Sequence, residues 1–103
     1  MSNRIDQLKS LLQTHPADAF CLYGLAMEHA KLGRHEEAIQ WYDRVLEVDP
    51  NYCYAYFHKA KSQEESGNVD GARQTLGAGL QRARTAGDMH AASEIGAYLE
   101  DLG

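Results

Sequence analysis

The sequence predicts an all-α fold of about six antiparallel helices. Apolar residues recur at helical spacing along most of the 103 residues, and glycine or proline interrupts them at short intervals. No segment keeps the alternation of apolar and polar residues that is typical of a half-buried strand. Similar residues also recur at a spacing of 34 positions, which indicates that one helical unit is repeated.

The helices follow from this periodicity and from the residues that interrupt it. We predict them at residues 3–13, 17–32, 35–48, 52–66, 69–86 and 89–102. Ser2 or Asn3 is expected to cap the first helix, and Pro16 prevents its continuation. Glycines are expected to end the second, fourth and fifth helices, and Asp88 is expected to cap the sixth.

The repeat is carried by small and turn-forming residues. Four identical pairs lie 34 positions apart, namely Pro16 and Pro50, Ala26 and Ala60, Gly33 and Gly67, and Ala38 and Ala72. Alanine lets two helices approach closely where they cross. The bulky residues Tyr42 and Leu76 keep the same spacing and are expected to fill the wider space between neighbouring units. Helix pairs repeated in this way stack into an α-α superhelix, or solenoid.

Residues 33–50 carry the most specific signal, with the sequence GRHEEAIQWYDRVLEVDP. This segment resembles the second helix and the closing Asp-Pro of the tetratricopeptide repeat (TPR) family. The resemblance implies a half repeat at residues 1–18, full repeats at 19–52 and 53–86, and a capping helix at 87–103. The second repeat departs from the family pattern at Lys59, where leucine is usual. The fifth helix, which belongs to this repeat, also contains Gly77 and Gly79. These glycines either allow the sixth helix to approach closely or mark a degenerate repeat.

The resemblance also implies a protein-protein interaction module, or scaffold, without enzymatic activity. Such a protein would hold a peptide segment of a partner protein in a concave groove. The groove residues that we predict are Phe20, Tyr23, Met27, Lys31, Tyr54, Phe57, His58 and Lys61. Aromatic and methionine side chains suit this role because they offer a large contact area at a low ordering cost.

Two alternatives remain open at this level. The rings could pack between helices as ordinary core, and the two lysines could be solvated surface charges. The aromatic face could also pair two copies of the chain into a structural homodimer. Some family members bind a chaperone's C-terminal carboxylate with Lys, Asn and Arg residues. The matching positions here include Tyr23, Met27 and His58, so we expect an apolar or aromatic segment instead.

Composition argues against several other classes of protein. The formal net charge of −5 disfavours nucleic acid as a partner, and no apolar run is long enough to span a membrane. The five histidines and two cysteines lack metal-ligand or nucleophile spacing, and no phosphate-binding loop occurs. We therefore expect no metal, no cofactor and no catalysis. The N-terminus lacks the features of a signal peptide, so a cytoplasmic location is expected.

Overall fold

A computed structural model describes residues 3–103 as six α-helices, which confirms the predicted all-α class. The helices are α1 (Asn3–Thr14), α2 (Ala19–Lys31), α3 (His35–Val48), α4 (Cys53–Glu65), α5 (Val69–Ala86) and α6 (Met89–Leu102). The predicted caps of α1, Ser2 and Asn3, lie outside the residues whose side chains are described. None of the helices within residues 3–103 has the length and apolar character needed to cross a bilayer.

Local capping interactions set the other helix ends. The side chains of Asp18, Asn68 and Asp88 accept hydrogen bonds from backbone N–H groups in the first turns of α2, α5 and α6. Gly33 and Gly67 have positive φ angles of 75° and 88°, in the left-handed region that favours glycine. After each of them, the next backbone N–H bonds back into the preceding helix, with distances of 2.9 Å and 2.8 Å. Equivalent turns therefore recur 34 residues apart.

Each helix packs against the next one along the chain, from α1 to α6. The interior contains fully buried alanines from neighbouring helices: Ala26 and Ala38 belong to one core cluster, and Ala60 and Ala72 belong to another. Larger residues such as Tyr42, Leu76 and Ile95 fill the remaining space and are also buried. The two alanine pairs thus occupy similar surroundings, as the sequence spacing predicts.

The two glycines inside α5 have different environments. A Cβ atom built on Gly79 would lie 2.6 Å from the Cβ of Tyr56 in α4 and 3.4 Å from the Cδ1 of Ile95 in α6. Among residues 3–103, a Cβ atom on Gly77 would have no neighbour within 4 Å. Gly79 therefore permits a close approach, mainly by α4, whereas no contact in the structure requires a glycine at position 77.

The cation at position 59, where the family usually has leucine, is accommodated by an ion pair. The Nζ atom of Lys59 lies 2.6 Å from the Oδ1 atom of Asp43, which joins α4 to α3. The side chain of Lys59 is largely buried and that of Asp43 is half-exposed. This contact replaces the apolar packing that leucine would provide.

Candidate binding groove

Three alternate helices, α2, α4 and α6, form one side of the molecule and enclose two neighbouring cavities. The first cavity lies between α2 and α4, with part of α3 at its base, and the second lies between α4 and α6. Lys61 lines both cavities, so they adjoin at this residue of α4. We call this surface the groove.

The α2–α4 cavity has a volume of about 370 Å³ and a mixed lining. Its residues are Met27, Ala30, Lys31, His35, Tyr42, His58, Lys61, Ser62 and Glu65. The buried Tyr42 hydroxyl donates a hydrogen bond to the Met27 sulfur at 3.2 Å, and the His35 Nδ1 and Ser62 Oγ atoms lie 3.2 Å apart. These contacts fix the base of the cavity, while the two lysines at its edge are exposed.

The α4–α6 cavity is larger, about 450 Å³, and contains two aromatic rings. It is lined by Phe57, Lys61, Glu64, Glu94, Ala97, Tyr98 and Asp101. The ring centroids of Phe57 and Tyr98 lie 5.2 Å apart with the planes inclined at 56°. The Nζ atom of Lys61 lies 6.0 Å from the Phe57 centroid. This cavity therefore combines aromatic surface with three carboxylates.

Two reciprocal hydrogen bonds hold α6 against α4. The Tyr54 hydroxyl of α4 donates to Glu94 of α6 at 2.8 Å, and the Tyr98 hydroxyl of α6 donates to Glu64 of α4 at 2.5 Å. The hydrogen bond to Glu94 raises the pKa of Tyr54 to about 12. Burial, and then the bond to Glu64, also raises the pKa of Tyr98. Both phenols are therefore neutral donors near pH 7.

A cluster of rings supports the groove between α2 and α4. Tyr23 packs against Tyr52, His58 and Tyr42, with centroid distances of 4.9, 5.8 and 6.0 Å. Burial raises the pKa of Tyr23 to about 12. Burial, together with the nearby cation of Lys61, lowers the pKa of His58. His58 is therefore neutral near pH 7.

The structure distributes the eight predicted residues unequally over this surface. Four line the α2–α4 cavity, namely Met27, Lys31, His58 and Lys61. Phe57 and Lys61 line the α4–α6 cavity. Tyr23 and Tyr54 are half-buried supports in contact with neighbouring side chains, whereas Phe20 is 68% exposed and lines neither cavity.

Residues of the predicted capping helix, α6, also line the groove. Glu94, Tyr98 and Asp101 all border the α4–α6 cavity. The 34-residue spacing does not find them from the predicted groove residue Lys61, because it relates Lys61 to Ile95, which is fully buried. A helical pattern through positions 94, 98 and 101 is the signal that would have identified this face.

Comparison with known proteins identifies the family. The tetratricopeptide repeat pattern matches residues 19–52, and a second tetratricopeptide repeat pattern matches residues 41–74. TPR repeat-containing protein PA0015 of Pseudomonas aeruginosa is 31% identical over 98 residues, which cover 95% of this chain and 93% of the relative. The chain belongs to the tetratricopeptide repeat family, whose members are typically non-catalytic.

Solved structures show the same fold. PcrH in complex with the chaperone binding region of PopD is 26% identical, with a TM-score of 0.87 over 95% of this chain and 74% of PcrH. The TPR2B domain of yeast Sti1 in a complex with Hsp70 gives the same identity and TM-score, over 95% of this chain and 78% of that domain. Both neighbours are TPR proteins bound to segments of partner proteins.

Proposed function

We propose that this protein is a non-catalytic interaction module that binds a peptide segment of a partner protein in the groove formed by α2, α4 and α6. One observation carries the proposal: two neighbouring cavities, which adjoin at Lys61, present aromatic, methionine and charged side chains on one side of the helix stack. Ligand sites in proteins combine apolar surface with a few polar groups in this way.

Two further points support this function. TPR homologues bind peptide segments of partner proteins, and two of them share this fold over 95% of the chain. The hydrogen bonds that join α4 to α6 also preorganise one wall of the groove, which reduces the ordering cost of binding. A cytoplasmic location accompanies the proposal, and the free thiols of Cys21 and Cys53 support it.

The groove can be blocked without removing any core side chain. Ala97 is exposed on α6 and lines the α4–α6 cavity, so Ala97→Trp would fill that cavity. Ala78 is exposed on α5 and borders a cavity beside Tyr56 instead, so Ala78→Trp is a matched control. Peptides would be selected from a random-sequence phage-display library on the unmodified protein, and their dissociation constants measured by fluorescence polarisation.

We expect Ala97→Trp to weaken binding of the selected peptides at least about tenfold, and Ala78→Trp to leave it within about twofold. Equal binding by both variants would refute the groove assignment. Sedimentation velocity over a wide concentration range tests the homodimer alternative. A stable dimer that Ala97→Trp dissociates and Ala78→Trp preserves would assign the same surface to self-association.

A further inference from the structure

We propose that the α4–α6 cavity of the groove receives a cationic side chain of the bound peptide, preferably arginine. The inference rests on the proposed function and specifies the chemistry of its ligand. Three carboxylates, those of Glu64, Glu94 and Asp101, border this cavity, against the single cation of Lys61. The rings of Phe57 and Tyr98 in the same lining supply apolar walls for an aliphatic stem or a guanidinium plane.

The carboxylates are largely free to receive a cation. Among residues 3–103, the carboxylate of Asp101 has neither a hydrogen-bond nor an ion-pair partner, and the carboxylate of Glu64 accepts only from the Tyr98 hydroxyl. Glu94 accepts from the Tyr54 hydroxyl and pairs with the exposed His90 at 2.6 Å. A carboxylate offers about four acceptor positions, so each of the three retains capacity for a guanidinium N–H.

The rings favour the same ligand. A cation is attracted to the face of an aromatic ring within about 6 Å of its centroid. Lys61 already lies at 6.0 Å from the Phe57 centroid, but its ammonium remains exposed to solvent. Arginine suits the site better than lysine because its planar guanidinium stacks on rings and binds carboxylates through two parallel hydrogen bonds.

The two cavities also differ in charge, which gives the groove a direction. The α2–α4 cavity has two lysines, Lys31 and Lys61, and one carboxylate, Glu65, among its lining residues. The α4–α6 cavity has three carboxylates and one lysine. A bound peptide is therefore expected to place its basic residue over α6 rather than over α2, because charge complementarity favours that orientation.

Defined peptides test this inference directly. The probes are acetylated, amidated peptides with the sequence Ala-Leu-X-Leu-Ala, where X is arginine, its neutral isostere citrulline, or glutamate. Binding is followed by the NMR shifts of the Phe57 and Tyr98 ring protons. Glu64→Gln with Asp101→Asn removes two charges from the cavity. Glu47→Gln with Glu100→Gln removes two exposed charges elsewhere and is the matched control.

We expect the arginine peptide to bind at least about threefold more tightly than citrulline, and glutamate to bind most weakly, with the differences reduced by salt. The cavity variant should lose this preference and the control variant should retain it. Equal shifts and affinities for arginine and citrulline would overturn the cation site while leaving the groove itself intact. If the arginine peptide shifts neither ring, the cation site is refuted, whereas the groove itself is judged by the library-selected peptides and Ala97→Trp.

Discussion

The two glycines of α5 offer a test of the packing between α4, α5 and α6. Alanine at either position should gain about 0.5–1 kcal/mol from its higher helix propensity. At position 77 nothing in the described part of the chain opposes this gain, because a Cβ atom there has no neighbour within 4 Å. At position 79 the added carbon would lie 2.6 Å from the Tyr56 Cβ, an atom close to the backbone of α4 that has little freedom to move.

Overpacking of this kind costs about 1–3 kcal/mol, so Gly79→Ala should change the free energy of unfolding by about zero to −2.5 kcal/mol. The difference between the two variants cancels the propensity term and isolates the contact. This difference in the free energy of unfolding should therefore be about 1–3 kcal/mol. Each kcal/mol corresponds to roughly 4–8 °C in the thermal midpoint. Urea denaturation followed by circular dichroism measures it. If Gly79→Ala stabilises as much as Gly77→Ala, α4 and α5 do not approach as described.

Two further predictions concern the core. Ala60→Leu should destabilise by about 1–3 kcal/mol through overpacking, because Ala60 is fully buried; unchanged stability in urea would contradict the close helix crossing. Burial lowers the pKa of His29 from its ordinary value of 6.5, and the charge of Glu37 partly opposes this shift. The free energy of unfolding should therefore fall as the pH decreases from 6.5 toward the pKa of His29 in the folded state. In this pH range the unfolded chain binds a proton at His29 and the folded chain does not. Urea denaturation at about pH 7.5 and about pH 5.5 should show the loss, and His29→Leu should reduce it; the same loss in that variant would show that His29 is not its source.

The helices and their ends were predictable because their signals are local. The bounds of α3, α5 and α6 agree with the sequence prediction, and the remaining boundaries differ by at most two residues. Asp88 caps α6 and Gly33 adopts a positive φ, as expected, since both effects depend only on residues within one or two turns. The buried alanine pairs followed from the 34-residue spacing, which places equivalent residues in equivalent helix crossings.

The groove was less predictable, because it depends on contacts between helices distant in sequence. The spacing of α2 and α4 indicated Met27, Phe57 and Lys61, which line the two cavities. It did not indicate that Tyr23 would be enclosed by three other rings, or that Phe20 would remain largely exposed. Both outcomes depend on how neighbouring helices tilt, and helical periodicity carries no information about that tilt.

By itself, then, the sequence determined six helices, their turns and the repeated crossing of small residues, because each of these is encoded within a short stretch of chain. Only the tertiary structure decided that α6 forms a wall of the groove. Helix α5 has 18 residues where α3 has 14, so the 34-residue spacing does not extend to α6. The carboxylates of α6 meet the ring of Phe57 only when the chain is folded, because that meeting depends on the packing of α6 against α4 and α5.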